Sequence, residues 1–496
     1  MKNAISVSEL ISPEKIFIDT IYCESRSFVY SMWLLCCGLL SYYIYSHTGR
    51  SLDSNIRTAV AFGLLIVIVH FIRHTLNKPR NFLAPDLMYV VFYTAFHFGY
   101  LGLWLFNIVP ESPKVFYSIG QYPLVMLIVN LGMISFLLGY EISGPKNLVP
   151  ASIRLIPNAS WTLVGALLMM IALGVHVFYL FYAGIDTWMA YGYQVYIHME
   201  DYVSYPNMWR IQLHLFSIGF SIYIVSCVLQ HGKLFNGKFG VFLFSIYMAL
   251  LFLEGGRTQL VTLGLILLLV RHYLIKPLSF KMLALICFCG LTAFVFIKLF
   301  RNVAGFNVSR AIEEITYAGQ SDLTHWYDSF VEMGGSVSTI NLTTMLVPGT
   351  SGFWHGRSYL QSIAHVFPYL QSVLMPVLGA SPSTWLTLTH FGMFAAGTGY
   401  SIAAEGYLNF GIPGVIVQMF LIGIILRRIY VWFARTLTMT STLFFIISFG
   451  LFMITVRNHT NLLVSPLVRL LVLMWLLKSI FKETVIAMHQ KQQPKD

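Results

Sequence analysis

Long apolar runs separated by short polar segments make up most of the chain. They fall at roughly 27–46, 57–74, 85–107, 122–140, 161–183, 210–230, 239–254, 258–275, 281–299, 411–432, 441–457 and 463–481. Each is about 16–24 residues, close to the length an α-helix needs to cross the hydrocarbon core of a bilayer and too long for a barrel strand. The pattern predicts an all-α polytopic membrane protein with about twelve transmembrane helices. Polar segments after alternate runs carry the cations: Arg73, Lys78 and Arg80, then Lys146 and Arg154, Lys233 and Lys238, Arg271, Lys276 and Lys281, and Arg427, Arg428 and Arg435. The segment 184–209 has none and 108–121 has only Lys114. By the positive-inside rule both termini are expected in the cytoplasm.

That orientation leaves residues 300–410 on the outside, as one large periplasmic loop. A structureless loop of this size is improbable, so it should hold short helices and function. Helices are predicted at 308–318 and 336–346. Leu360, Ile363, Phe367, Leu370 and Leu374 recur at helical spacing and are interrupted by Pro368. That segment is either amphipathic at the membrane surface or packed on the membrane domain. The division expected is 1–299 as an N-terminal membrane domain of about nine helices, 300–410 as the loop, and 411–496 as about three more helices with a cytoplasmic tail.

Composition narrows the class. The 496 residues are 57% hydrophobic and 10% charged, against about 25% charged in soluble domains. The net charge of +11 is accounted for by cationic loops and anionic headgroups, so no nucleic-acid partner is expected. Glu9, Glu14, Asp19 and Glu24 interrupt the first segment, so the first helix is the expected insertion signal. No cysteine lies in the long loop, which excludes disulfides and a cysteine zinc site there. His70, His97, His176 and His214 are expected to be helix–helix hydrogen-bond partners. The scarcity of carboxylates within the runs counts against an ion-driven transporter.

The external polar residues carry the candidate chemistry. Gly255-Gly256-Arg257 forms a tight turn that would fix Arg257 at the membrane surface. Arg301 opens the long loop, Arg310 and His355-Gly356-Arg357 lie within it, and Arg457-Asn458-His459 forms a later turn. A guanidinium offers a planar fork of donors that matches phosphate oxygens. Any one of these arginines but Arg257, which the turn fixes, is also explained as a headgroup anchor; converging on one cavity, they would suit a diphosphate. The acids are Glu313, Glu314, Asp322, Asp328, Glu332 and Glu405. Asp322 and Asp328 are expected to be solvated, and His355 is either a base, a ligand contact or an exposed polar residue. Nucleotide-phosphate, zinc-helix and nucleophile-elbow motifs are missing, so no cofactor and no metal is expected. The substrate should therefore arrive already activated on a lipid.

The stretch Gly397–Gly414, with Glu405 and Tyr407-Leu408-Asn409-Phe410-Gly411, resembles the bacterial O-antigen polysaccharide polymerases (Wzy-type). Glu332-Met333-Gly334-Gly335-Ser336, Val347-Pro348 and Gly356-Arg357-Ser358-Tyr359 follow that family's loop in order, and the Arg257 turn and Arg301 segment fit as well. The resemblance implies a lipid-donor, GT-C-like glycosyltransferase at the periplasmic face of the inner membrane. It would join oligosaccharide repeat units carried on undecaprenyl diphosphate, and a chain-length regulator protein is a candidate partner. It implies Arg257, Arg301 and Arg357 as diphosphate ligands, with Arg310 and Arg457 as further contacts. Glu405, Glu332 and His355 would orient or deprotonate the acceptor, Asn409 would bind substrate, and Tyr400 and Tyr407 would either stack on sugars or belt the membrane interface. The alternatives are an O-antigen ligase acting on lipid A core, and a lipid-linked oligosaccharide flippase or other transporter.

Overall fold

The computed structural model describes residues 28–47, 52–76, 81–109, 121–144, 153–157, 159–184, 206–253, 257–302, 328–391, 399–480 and 483–487. Every predicted apolar run coincides with a helix. In chain order these are α1 (Phe28–Ser46), α2 (Leu52–Leu76), α3 (Pro85–Leu105), α4 (Tyr122–Ser143), α5 (Ala159–Ala183), α6 (Pro206–His231), α7 (Lys238–Leu253), α8 (Arg257–Val270) and α9 (Phe280–Asn302). The loop contributes α10 (Asp328–Gly334), α11 (Val337–Leu346), α12 (Arg357–Ala364), α13 (Pro368–Leu378) and α14 (Pro382–Phe391). The chain then returns through α15 (Ile402–Thr436), α16 (Met439–Thr455) and α17 (Asn461–Ile480). Among the described residues, nine helices are long and apolar enough to cross a membrane, and α7, α9 and α16 supply three shorter apolar ones. Bulky apolar side chains such as Phe28, Leu39, Phe178 and Trp475 face outward, as lipid contact requires.

The fold departs from a purely helical one at a single place among the described residues. Ile153–Pro157 (β1) pairs antiparallel with Glu483–Ala487 (β2), Ile153 opposite Ala487 and Pro157 opposite Glu483. The predicted helix at 308–318 lies outside the described residues. The one at 336–346 is α11, and the segment 358–374 is α12 and α13, parted just before Pro368.

Glycines set the closest helix contacts. A Cβ on Gly139 of α4 would strike the Phe420 carbonyl of α15, and one on Gly423 would strike the Phe136 carbonyl of α4. Backbones that approach this closely leave room only for hydrogen. Since Gly132 and Gly139 of α4 and Gly144 just past its end lie against Val415 and Met419, Phe420 and Arg427 of α15 in turn, the two helices run in the same direction. This pairing fixes α15, and α15 carries the site.

Candidate active site

The site begins with a break in α15. Pro413 has no N–H, and in a regular helix its ring would collide with the Asn409 carbonyl. The backbone leaves helical geometry at Phe410 (φ −144°, ψ 20°) and Gly411 (φ 65°, ψ −151°). Only glycine takes the second of these conformations without strain. Gly414 then folds back so tightly that a Cβ there would meet the Gly406 carbonyl. The helix therefore starts at Ile402, nine residues earlier than the predicted 411, because residues 402–409 are helical above the break.

The break frees the Leu408 and Asn409 carbonyls from intrahelical bonding, and buried carbonyls must find donors. Both are taken by the loop: Trp354 N–H donates to Leu408 O (2.9 Å) and His355 N–H to Asn409 O (3.1 Å). The Asn409 side chain finishes the clasp. Its Oδ1 accepts from Gly356 N–H (3.0 Å), and its Nδ2 donates to Ser358 Oγ (2.7 Å) and to Glu405 O (2.9 Å). His355 (φ 47°) and Gly356 (φ 90°) both adopt the left-handed conformation. Two consecutive residues of this kind can aim their amides at an anion, but here both amides already serve Asn409. Only the side chains of this turn are left free to meet an anion.

Beneath the clasp lies Glu405, wholly buried. Its Oε2 accepts from Thr460 N–H (2.6 Å), from the Thr460 hydroxyl, and from Gln418 Nε2 (3.2 Å). Its Oε1 makes no hydrogen bond, and the Ser358 side chain is the neighbour placed to supply one. Gln418 also donates to Thr460 Oγ1 (3.0 Å) and accepts from the Tyr359 hydroxyl (2.9 Å). One carboxylate thus joins three pieces: α15, the 457–460 turn and the start of α12. The far end of α12 is held by α17, where Ser465 Oγ donates to His365 O (2.9 Å) and Arg469 donates to the carbonyls of His365 and Val366. Cations at a helix C-terminus satisfy its last carbonyls in this way.

The clasp presents Arg357. Its guanidinium stacks over the Trp354 ring, 3.9 Å from the centroid, and among the described residues it makes no hydrogen bond or ion pair; its Nε is buried without one. Burial lowers its pKa, yet a guanidinium stays charged near neutrality. Here, then, is a half-buried cation with its donors uncommitted. Burial, followed by the nearby Glu405 carboxylate, raises the Tyr359 pKa and keeps the phenol protonated.

The other predicted residues divide. His355 is exposed beside Phe410, ring centroids 6.3 Å apart. Arg457 is half-buried over the Phe96 ring, and its carbonyl accepts from Tyr400 N–H (3.2 Å). Tyr400 is fully buried, with its hydroxyl on Thr343 Oγ1 (3.0 Å), so its ring offers no open face. Tyr407 is buried edge-on to Phe353. Asn409 is also buried, holding the clasp. Glu332 sits on α10, against α3 where Gly334 abuts Tyr100. Arg257 opens α8 and Arg301 ends α9, but their side chains lie outside the described residues, as does all of Arg310. Ser358 and Tyr359 stood in the sequence motif without a role of their own, and Gln418, Thr460 and Arg469 were not singled out by it. Gln418 carried a usable signal, since an amide within an apolar run needs a partner.

No solved structure matches this chain. Protein CapE of Staphylococcus aureus is 26% identical over 222 residues, 44% of this chain and 46% of CapE, so the chain spans about half the length of that curated relative. The sequence profile of O-antigen polysaccharide polymerase Wzy matches residues 27–485, which takes in every helix described here, the broken α15 and the clasp it captures included. The chain belongs to the O-antigen polysaccharide polymerase Wzy family.

Proposed function

We propose that this protein polymerises oligosaccharide repeat units carried on undecaprenyl diphosphate, at the periplasmic face of the inner membrane, by a metal-independent glycosyl transfer in a GT-C-like scaffold. Family membership supports the reaction class. The observation that carries the site is the half-buried Arg357, locked over Trp354 with its donors free. In the proposed step an acceptor hydroxyl oxygen attacks the anomeric carbon of the donor sugar. The bond from that carbon to the diphosphate oxygen breaks, and undecaprenyl diphosphate leaves with the electron pair. A single displacement of this kind inverts the anomeric centre. Arg357 meets the charge that grows on the leaving group, a task preorganised cations perform well in a site shielded from water. Arg457, Arg257 and Arg301 are the further cations proposed for the two lipid diphosphates. His355 is the base candidate a sugar in solution can reach, whereas Glu405 is walled off and acts through the parts it holds.

The test is reconstitution of the purified full-length chain with an undecaprenyl-diphosphate-linked repeat unit, with and without lipid A core. A ladder of products without lipid A core is expected. A single shifted band only with lipid A core would make it a ligase. Substrate redistributed across the bilayer with no product would make it a transporter.

A further inference from the structure

The end of the helical domain away from the clasp holds a second group of buried polar side chains. His70 and His74 lie one turn apart near the end of α2, so their rings share a face. Asp86 stands in the first turn of α3. His74 Nε2 is 3.0 Å from Asp86 Oδ2 and His70 Nε2 is 3.4 Å from the same oxygen. The three nearest donor atoms all lie within 4.8 Å of one another, and all three residues are buried. Two atoms of these residues have no hydrogen-bond partner: His70 Nε2, which points at Asp86 Oδ2, and Asp86 Oδ1. Buried polar atoms are seldom left unpaired without reason.

From this arrangement we propose that His70, His74 and Asp86 bind a divalent transition-metal ion of the zinc class. Two imidazole nitrogens and a carboxylate oxygen are a ligand set such ions accept. Ligands about 2.0–2.2 Å from a tetrahedral zinc ion lie roughly 3.3–3.5 Å apart, so only small shifts are needed around Asp86. The orphaned Oδ1 or a water completes the shell. The surroundings are those of a metal histidine: Tyr30 Oη lies 2.7 Å from His70 Nδ1 and fixes the ring from behind. Arg73, between the two histidines, is neutralised by Glu141, one of its nitrogens reaching both carboxylate oxygens at 2.9 and 3.0 Å. Along α3, Asp86 is roughly 17 Å from His97, whose Nε2 contacts Ser401 at the head of α15. The ion would therefore clasp α2 to α3 and lie outside the sugar-transfer site. The inference is independent of the proposed reaction.

The full-length protein, purified in detergent without chelator, should carry stoichiometric zinc by elemental analysis. After exchange into cobalt it should show the visible absorption of a tetrahedral site. His70→Ala and Asp86→Ala should abolish that absorption. Tyr30→Phe should keep it but weaken cobalt binding by about 10–100-fold. Chelation should lower the thermal midpoint of the wild type and leave that of His74→Ala unmoved. Wild-type protein that stays metal-poor after equilibration with micromolar zinc would overturn the proposal and leave a hydrogen-bonded ion pair in its place. So would a cobalt band that survives both alanine substitutions. The wild-type measurements stand even if a variant fails to fold.

Discussion

Two buried carboxylates, one at each end of this protein, are treated in opposite ways. Glu405 is surrounded by neutral donors: an amide, a hydroxyl and a backbone N–H converge on one oxygen. Asp86 is surrounded by groups that can carry charge or bind cations, His70 and His74 nearest and the Arg427 charge beyond them. Neutral donors fix geometry without adding charge, which suits a post holding the loop that presents Arg357. Imidazoles beside a carboxylate offer a divalent metal ion its ligands. The difference teaches that burial alone does not mark a catalytic acid; the partners reveal the task.

The largest expected effect comes from removing the Glu405 post. Glu405→Ala strands the Thr460 N–H and hydroxyl in a dry site and leaves Gln418 Nε2 only its bond to Thr460 Oγ1, and each unpaired group costs about 1–3 kcal/mol. We expect a loss of roughly 3–5 kcal/mol, seen as a collapsed thermal midpoint in detergent and no polymer ladder. Glu405→Gln is the sharper variant. Every donor reaches Oε2, so a glutamine oxygen can replace it while the amide NH₂ takes the place of Oε1 and faces Ser358. The fold should lose no more than about 1 kcal/mol and activity should persist. If Glu405→Gln folds normally yet polymer formation falls by 10²-fold or more, about 2.7 kcal/mol, the carboxylate takes part in the chemistry and the comparison above fails.

Next in size is Arg357→Ala. Removing one preorganised group that stabilises transition-state charge typically costs about 10²–10³ in rate, and that loss is expected in the reconstituted ladder assay. Stability should change by only about 0.5–1 kcal/mol, the worth of the stack on Trp354. Arg357→Lys should restore part of the rate, since it keeps the charge and loses the fork. Unchanged polymer in Arg357→Ala would remove this residue from the site.

Much of this was legible in the sequence, though unevenly. Apolar runs such as 122–140 and 463–481 show their helices plainly, because a bilayer demands uniform apolar length. Pro368 likewise marks where α12 gives way to α13. The head of α15 was harder to read. Residues 402–409 lie within a glycine-rich, mixed stretch with no clear period, and their helix is held by tertiary partners such as His97 on Ser401. Arg357 and Glu405 were visible as chemistry, but their opposite roles depend on Gln418 and Thr460, thirteen and fifty-five residues from Glu405. His70 and His74 were visible as histidines four apart. Their third companion, Asp86, belongs to the next helix, and only the hairpin between them brings it near.

A smaller effect should come from Tyr359→Phe. It deletes the hydroxyl that donates to Gln418 Oε1, and an amide oxygen left unpaired costs about 1 kcal/mol. The thermal midpoint should drop modestly and the ladder should remain. A drop as large as that of Glu405→Ala would mean the network holds as one unit, with no single post.

The smallest effect lies in acid, and it tests whether the clasp end depends on neutral groups. His459 sits in the same turn as Thr460, mostly buried, with Nδ1 unpaired. Burial, aided by the charge of His365, pushes its pKa down to about 4, against about 6.5 for a free histidine. Between these values the unfolded chain binds a proton that the folded chain refuses. Stability is therefore full above pH 6.5, falls as the pH drops from there toward 4, and levels off below. At pH 5.5 the loss is about 1 kcal/mol. Thermal midpoints at pH 7.5 and 5.5 measure it, and His459→Gln, which cannot titrate, should shrink the difference between them. If the wild type and His459→Gln fall equally, His459 is not the group that sets the acid response.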